Sequence, residues 1–154
     1  MKKNTAKLTR TVLIDTNILV SGLVFTSGNE HKILQLAEDK VITLLLPEVV
    51  LKEARTVLSH RFAGYEVLLD IFIQRTQHLI VPISEFEGEI DLHRESVRDP
   101  KDIAVLAATI ATKPDFIVTG DKTLRQDMQC SREVTAHTVV CSSSELLKAI
   151  LRRP

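Results

Sequence analysis

The sequence predicts an α/β fold, a three-layer α/β/α sandwich in which helices cover both faces of a central, mainly parallel sheet. Two observations lead to this prediction. Short apolar runs alternate along the chain with segments of helical periodicity. Each run is apolar at consecutive positions, which is typical of strands whose two faces are both buried. Strands that alternate with helices in this way favour a parallel sheet between two helical layers.

Four apolar runs are the predicted strands, and each ends at a residue that interrupts strands. The runs cover residues 12–14, 41–46, 116–119 and 138–141. The residues that follow them are Asp15, Pro47, Gly120 and Ser142. Such short, bounded apolar runs are typical of buried strands.

Six segments show the helical spacing of apolar residues. They cover residues 30–39, 47–60, 65–79, 88–97 and 100–112, with a last helix that starts at Ser144 or nearby. Pro47 and Pro100 each suit the first turn of a helix, where a missing backbone N–H is tolerated. Ser142 and Glu145 have the S-x-x-E spacing of a capping box, which predicts the start of the last helix.

The composition is typical of one globular domain that folds without disulfides, since the 154 residues are 44% hydrophobic and 26% charged. We therefore expect a single domain over residues 1–154, with the basic residues 1–10 as a flexible arm. Lys plus Arg and Asp plus Glu both number 20, so the formal net charge is zero. The chain therefore has no overall basic field, and its charge balance neither indicates nor excludes a nucleic-acid partner.

The cysteines and the N-terminus bear on the cellular location. Cys130 and Cys141 stand in no CxxC or Cys/His ligand pattern, which indicates a reducing compartment rather than a disulfide framework or a zinc site. The basic N-terminus is followed only by a short apolar run that Asp15 interrupts, so neither a signal peptide nor a membrane span is predicted. We expect a cytoplasmic protein that does not act at a membrane.

Two aspartates follow predicted strands. Asp15 comes directly after the first strand, and Asp121 comes after the third with Gly120 between. Parallel sheets bind ligands beyond the carboxyl ends of their strands, so both aspartates are candidate site residues. Either one also suits a plain turn or a helix N-cap, roles that aspartate often takes.

Glu53 is the acid that the helical pattern places among apolar residues. In a helix that opens at Pro47, it falls inside the stripe formed by Val49, Val50, Ala54, Val57 and Leu58. A carboxylate on a core-facing arc is costly unless it is paired or binds a cation. The alternative is a glutamate at the edge of the stripe, which reaches water or pairs with Lys52 or Arg55.

Two more acids open the fifth predicted helix. Pro100 suits its first position, so Asp99 is predicted as the N-cap, and capping accounts for Asp99 fully. Asp102 leads directly into the apolar run 103–108, which predicts a buried helix and puts the Asp102 carboxylate at the edge of the core. Its alternative role is a favourable interaction with the helix dipole.

Acids from separate segments form a metal site if they meet. Carboxylates gathered without an interleaved Lys or Arg repel one another unless a cation joins them. Magnesium or manganese suits such a site, because these ions take a few carboxylates together with water and phosphate oxygens. In phosphodiester cleavage the ion activates water and stabilises the leaving oxygen, so no side-chain nucleophile is needed. The spacing leaves open whether one ion or two would bind.

Four motifs carry these acids and span most of the chain. They are VLIDTNILVSGL at 12–23, PEVVLKEARTVL at 47–58, RDPKDIAVLAATIA at 98–111 and DFIVTGDKTL at 115–124. Together they resemble the PIN-domain family in order and approximate spacing, and more narrowly the VapC-like toxin components of toxin–antitoxin pairs. The joint match is specific, whereas DTN or TGD alone is common by chance.

The resemblance implies a Rossmann-like sandwich with a metal-ion site formed by one acid of each motif. Those acids are Asp15, Glu53, Asp102 and Asp121. The family also has supporting positions, and these match Asn17, Thr119 and Asp99, of which Asp99 is the main rival to Asp102. The chain departs from the family pattern at Thr123, where close relatives often carry a second aspartate.

The implied function is that of a Mg²⁺- or Mn²⁺-dependent endoribonuclease that cleaves single-stranded or structured RNA. The implied partners are the RNA substrate, a cognate antitoxin protein and a second copy of the chain in a homodimer. The alternative is a non-catalytic PIN-fold module that binds RNA or protein, which would be expected to lack one of the acids. Asn17 argues against a dehalogenase-type phosphatase, which needs a second aspartate at that position. The identity of the RNA stays open, since the chemistry is common to any phosphodiester.

Overall fold

The sheet has five parallel strands in the computed structural model, which describes residues 9–152. The strands are β1 (Arg10–Ile14), β2 (Ile42–Pro47), β3 (His78–Val81), β4 (Phe116–Val118) and β5 (Val139–Cys141). They lie in the order β3-β2-β1-β4-β5, and every neighbouring pair is parallel. The prediction of a mainly parallel sheet is confirmed.

Helices cover both faces of this sheet. In the described part of the chain they are α1 (Thr16–Val24), α2 (Asn29–Glu38), α3 (Glu48–Arg61), α4 (Glu66–Arg75), α5 (Glu87–Leu92), α6 (Ile103–Thr112), α7 (Lys122–Gln129), α8 (Arg132–Thr135) and α9 (Ser143–Leu151). One layer consists of helices that pack against one another in the pairs α1–α2, α1–α3, α3–α4 and α2–α9. The other layer consists of α5, α6, α7 and α8, which pack in the pairs α5–α6, α6–α8 and α7–α8. The predicted α/β/α sandwich is therefore confirmed.

The inner strands form the centre of the core. Val12, Leu13 and Ile14 of β1 are fully buried. Helices on both faces cover the side chains of these strands, which explains why the apolar run is continuous. Residues 105–110 of α6 are also buried, which confirms a buried helix, although residues 103 and 104 of the predicted run are only half-buried.

The strand β3 lies where the sequence predicted the end of a helix over 65–79. That helix, α4, ends at Arg75, and β3 begins at His78. β3 is an edge strand, and its Leu79 and Ile80 are 58% and 50% exposed, so it shows no buried apolar run. Its parallel pairing with β2 sets its conformation instead, as is usual where tertiary context overrides local propensity.

Several predicted element ends shift by a residue or more. Pro47 is the last residue of β2 rather than the first of a helix, because its ψ of 140° keeps it extended. The predicted helix 88–97 is α5 followed by a 3-10 turn, Arg94–Ser96, and another 3-10 turn, Pro100–Asp102, precedes α6. β4 and β5 are each one residue shorter than predicted. The predicted capping box at Ser142 is confirmed and starts α9.

The predicted basic arm lies mostly outside the described residues, which leave out residues 1–8 and 153–154. Arg10 belongs to the predicted arm but opens β1, where it pairs in register with Ile42. Its guanidinium lies 5.7 Å from the centre of the Phe116 ring. The prediction of a flexible arm is therefore wrong for Arg10.

The cysteines and the helix lengths were also subjects of prediction. Cys130 and Cys141 are both free thiols, so neither takes part in a disulfide. Within residues 9–152, every helix is too short or too polar to cross a membrane.

The strand order reverses between β1 and β4. From β1 the chain moves outward through β2 to β3; it then crosses to β4 and moves outward on the other side to β5. Connections that diverge in this way leave a crevice at the carboxyl ends of the two strands. Asp15 follows β1 directly and Thr119 follows β4 directly, so both stand at this crevice.

Candidate active site

Hydrogen bonds join the ends of β1 and β4. Asp15 is 7% exposed, and Thr119 is fully buried. The Thr119 hydroxyl donates to Asp15 Oδ2, and its oxygen accepts the Asp121 backbone N–H at 3.0 Å. Asp15 Oδ1 accepts the Ile18 N–H at 3.3 Å, which caps helix α1. Both oxygens of the Asp15 carboxylate therefore have partners that hold its orientation.

Asp121 caps helix α7 on the other side of the crevice. Its Oδ1 accepts the backbone N–H of Thr123 at 2.9 Å and that of Leu124 at 3.2 Å. The N-cap role that the sequence allowed for Asp15 and Asp121 is therefore confirmed. Capping and a place at the crevice are compatible, because both helices begin where their strands end.

The segment before α6 brings two more aspartates to the crevice. Asp99 Oδ1 accepts the Lys101 N–H at 3.0 Å and so caps the 3-10 turn Pro100–Asp102. Asp102 ends that turn, and its Oδ2 is buried without a hydrogen-bond partner among the described residues. A buried carboxylate oxygen without a partner is costly, so this atom is a candidate ligand of a cation.

The acids meet in one cavity of about 190 Å³ at the crevice. Its lining consists of Asp15, Thr16, Asn17, Glu53, Asp99, Lys101, Asp102, Val105, Asp121 and Leu124. The lining includes every predicted site residue except Thr119, which is fully buried and hydrogen-bonds to Asp15. Hereafter this group of residues is called the acid cavity.

Glu53 reaches the acid cavity from α3, but it is not buried as predicted. The buried residues of α3 are Val50, Ala54 and Leu58, whereas Glu53 is exposed. The buried stripe is narrower than the sequence pattern indicated, so the position before Ala54 faces the cavity rather than the core. The expected alternative partner, Arg55, instead pairs with Asp70 at 2.7 Å.

Lys101 is a cation that the sequence did not indicate as part of the site. The acids were expected to meet without an interleaved Lys or Arg, yet Lys101 lines the acid cavity together with Asp99 and Asp102. The sequence signal was its place between these two aspartates, because one 3-10 turn brings all three to the same cavity. Within residues 9–152, none of the cavity acids forms an ion pair, that is, a contact of 4.0 Å or less between a carboxylate oxygen and a cationic nitrogen.

Burial and mutual repulsion raise the pKa values of two of the acids. Burial raises the pKa of Asp15, although the hydrogen bonds from Thr119 and Ile18 lower it. Partial burial, followed by the charges of Asp121, Asp99 and Asp15, raises the pKa of Asp102 to about 6. The fold therefore gathers negative charges that form no ion pair among the described residues, which favours the binding of a cation.

The donor atoms suit a hard divalent cation, because they are carboxylate oxygens. Within residues 9–152, no three acidic, histidine or cysteine side chains are placed to hold one metal ion together. Mg²⁺, however, binds to proteins through one or two carboxylates and fills its remaining positions with water and phosphate oxygens. The acid cavity therefore fits an ion held partly by water or substrate rather than a closed protein cage. The unpartnered Oδ2 of Asp102 supplies one candidate ligand.

The stability of the metal-free protein should fall as the pH rises through the range in which Asp102 ionises. The pKa of Asp102 rises from 3.8 in an unperturbed group to about 6 in the fold, so the folded chain holds this proton more tightly than the unfolded chain does. The resulting stabilisation is present below about pH 4 and is lost by about pH 6. Because Asp102 is partly exposed, we expect a loss of only about 1 kcal/mol.

Urea unfolding in the presence of a chelator, at pH values between 4 and 7, measures how much the free energy of unfolding falls as Asp102 ionises near pH 6. The control is Asp102→Asn, which removes the titrating group and its repulsion with Asp121. The unfolding free energy of the variant should exceed that of the unaltered chain by an amount that grows with pH. A difference that stays constant over this range would show that Asp102 ionises like a solvated carboxyl.

An acid-lined cavity at the point where the order of an all-parallel sheet reverses defines the class of protein: an α/β domain of Rossmann-like topology with an acidic ligand site. A family model described as PIN domain matches residues 11–123, which include every acid of the cavity. The chain belongs to the PIN-domain family. No curated protein gives a significant match to it.

The fold is similar to that of a chain in a solved structure, the crystal structure of VapBC2 from Rickettsia felis bound to a DNA fragment from their promoter. The TM-score is 0.63 and the sequence identity is 18%. The match covers 86% of this chain and 98% of that one. At this level of identity, the likeness concerns the fold.

Proposed function

We propose that this PIN-domain protein is a metal-dependent endoribonuclease that hydrolyses single-stranded or structured RNA. The observation that supports this proposal most strongly is that Asp15, Glu53, Asp102 and Asp121, which come from four separate motifs, line one cavity. The buried Oδ2 of Asp102, which has no partner among the described residues, adds a position for a cation.

The four acids have different surroundings, and these indicate different parts in the proposed site. Asp15 is held by Thr119 and Ile18, and Asp121 is held by the start of α7, so these two carboxylates are arranged before an ion binds. Asp102 and Glu53 are left to complete the site. A bound Mg²⁺ or Mn²⁺ ion would supply an activated water and stabilise the developing negative charge.

Asp102, rather than Asp99, is the proposed third acid. Asp99 is exposed, and its Oδ1 already accepts the Lys101 N–H. Asp102 has an unpartnered, buried oxygen, and the charges of Asp121 and Asp15 help to raise its pKa. Lys101 also lines the cavity, and its positive charge would attract an RNA phosphate.

We further propose that the chain is the toxin of a toxin–antitoxin pair. Its motifs resemble those of VapC-like toxins, and the similar solved structure is that of VapBC2. The expected partner is an antitoxin that inserts an arginine into the acid cavity, where its guanidinium would compete with the metal. Homodimerisation remains a prediction of the resemblance. Co-purification of the chain with the product of an adjacent small gene tests the antitoxin; the nuclease proposal does not depend on the result.

The alternative function is that of a non-catalytic PIN-fold module that binds RNA or protein. Such a module would be expected to lack one of the four acids, whereas all four line the acid cavity. A module of this kind would bind RNA with similar affinity whether or not a divalent ion is present. The requirement for metal therefore distinguishes the two functions.

The proposed nuclease should cleave RNA only when a divalent ion is present. The purified chain is incubated with end-labelled single-stranded RNA and with structured RNA, with Mg²⁺, with Mn²⁺ or with a chelator. We expect new internal ends with either ion and none with the chelator, because the cavity acids alone offer no nucleophile. RNA binding without cleavage under every condition would favour the non-catalytic module. Cleavage that persists in the chelator would contradict a metal-dependent mechanism.

A further inference from the structure

Arg98 lies just outside the acid cavity and connects the two chain segments that bring most of its aspartates. It directly precedes Asp99, in the segment that leads to Asp102. The residues that it contacts all belong to α7, the helix that Asp121 caps. Arg98 therefore joins elements that are distant in sequence but adjacent at the cavity.

Arg98 makes four hydrogen bonds across this junction. Its backbone N–H donates to Asp127 Oδ2 at 3.0 Å, and its Nε donates to Asp127 Oδ1 at 2.9 Å. Its Nη2 donates to the Thr123 carbonyl at 3.2 Å and to Gln126 Oε1 at 3.1 Å. The side chain of Asp127 is only 10% exposed. Loss of the guanidinium would leave this covered carboxylate with fewer donors, which destabilises the junction.

The junction has to withstand repulsion between the acids that it brings together. Asp99 and Asp102 lie on one segment and Asp121 on the other. The negative charges of Asp99 and Asp121 both raise the pKa of Asp102. Like charges on two segments favour the separation of those segments. A contact between the segments that does not use the cavity acids themselves keeps the acids close and leaves their oxygens free for a ligand.

We propose that Arg98 and Asp127 form a clamp that holds residues 98–102 against α7, so that Asp102 and Asp121 can act on the same cation. This inference rests on the proposed function. Arg98 is a positioning residue, because its contacts are with α7 rather than with the reacting atoms. The planar guanidinium suits this role better than a lysine does, since its fixed fork of N–H groups reaches several acceptors at once.

Binding of Mn²⁺ to the metal-free, full-length chain separates a clamp from a simple effect of charge. Arg98→Ala removes a positive charge near the acids, so electrostatics alone would strengthen cation binding. Loss of the clamp should instead weaken it by about 10-fold or more, as is usual when the support of a metal ligand is removed. Arg98→Lys keeps the charge but not the fork and should also weaken binding. The matched control is Arg94→Ala, which removes a 2.8 Å contact with Asp91 on the exposed surface and should leave the affinity unchanged.

The kinetics of RNA cleavage give a second readout. Misplacement of the acids should lower kcat of Arg98→Ala by roughly 10- to 100-fold. A residue that only held RNA would instead raise KM and leave kcat unchanged. Asp127→Ala should behave in the same way as Arg98→Ala. Because the two residues act as one unit, the double variant should lose no more than the more damaged single variant.

Amide hydrogen exchange shows whether the variants lose only local order. Exchange in Arg98→Ala should become faster in residues 98–103 and in α7, while the rest of the sheet stays protected as in Arg94→Ala. Exchange no faster than in Arg94→Ala, or Mn²⁺ affinity and kcat equal to those of the unaltered chain, would overturn the clamp. If the unaltered chain binds Mn²⁺ but cleaves no RNA, the nuclease proposal fails while Mn²⁺ affinity still decides on the clamp. If it binds no Mn²⁺ either alone or with RNA present, both proposals fail.

Discussion

Asp15→Asn should abolish RNA cleavage and leave the fold in place. The variant keeps the size of the side chain but removes the charge of a buried carboxylate in the acid cavity. A proposed direct ligand should matter more than a group that only supports one, so we expect a loss greater than the roughly 10- to 100-fold typical of supporting groups. Initial rates of cleavage with saturating Mn²⁺ measure the loss, and calorimetric titration with Mn²⁺ should show weaker binding.

The loss should not be explained by unfolding. Asparagine is as good an N-cap as aspartate, so the start of α1 should persist. Burial and the charge of Asp121 both raise the pKa of Asp15, which shows that the fold disfavours the charged form. Removal of the charge therefore offsets part of any weakened hydrogen bond to Thr119. The thermal midpoint of the metal-free variant should stay within a few degrees of that of the unaltered chain.

Asp115→Asn is the matched control for this variant. Asp115 is an exposed aspartate that precedes β4, and its Oδ2 accepts the Thr11 N–H at 2.8 Å near the start of β1. Asp115 lies at the amino end of β4, whereas the acid cavity lies at the carboxyl ends of the strands. The Asp115→Asn variant should therefore cleave RNA at the rate of the unaltered chain. Cleavage at an unchanged rate by Asp15→Asn would remove the acid cavity from the reaction. Equal losses in both variants would point to stability rather than chemistry.

The residues of the acid cavity could be predicted where a local signal fixes their place in an element. Asp15 and Asp121 each come at the end of a buried apolar run, and the carboxyl ends of parallel strands lie at one edge of a sheet. Asp99 and Asp102 flank a proline that opens a helical segment. The parallel sheet itself followed from continuous apolar runs, because burial on both faces leaves no alternation.

The features that the sequence did not predict depend on how separate segments approach each other. Two of the four residues of β3 are exposed, so it lacks a buried apolar run, and its pairing with β2 makes it a strand. Glu53 is exposed because α3 turns a narrower stripe to the core than its apolar residues indicate. Arg98 and Asp127 are far apart in the sequence, and nothing in the pattern distinguishes either from an ordinary surface charge. Only the fold brings Arg98 Nε to 2.9 Å from Asp127 Oδ1. Contacts of this kind carry no periodic signal.

Thr119→Val should destabilise the metal-free protein and impair cleavage, although the side chain keeps nearly the same shape. The fully buried Thr119 hydroxyl donates to Asp15 Oδ2 and accepts the Asp121 N–H at 3.0 Å. Valine leaves both groups without this partner, and a buried unsatisfied group costs about 1 to 3 kcal/mol. The Asp121 N–H is only partly buried and so loses less, and we expect a total loss of roughly 2 to 4 kcal/mol in urea unfolding near pH 7. The hydrogen bond from Thr119 lowers the pKa of Asp15, so its removal should raise that pKa further, and the destabilisation should shrink on acidification.

Thr109→Val is the control that separates the loss of the Thr119 hydrogen bonds from the general effect of removing a buried hydroxyl. Thr109 is also fully buried, but its hydroxyl donates at 2.8 Å to the Val105 carbonyl within α6. That carbonyl remains in the helical hydrogen-bond ladder, so valine leaves no polar group unsatisfied, and the unfolding free energy should change by less than about 1 kcal/mol. Cleavage should also be unaffected, because Thr109 is not part of the acid cavity. If the two variants lose equal stability and activity, Thr119 merely fills the core; if only Thr119→Val is impaired, its hydroxyl orders the carboxylate on which the proposed reaction depends.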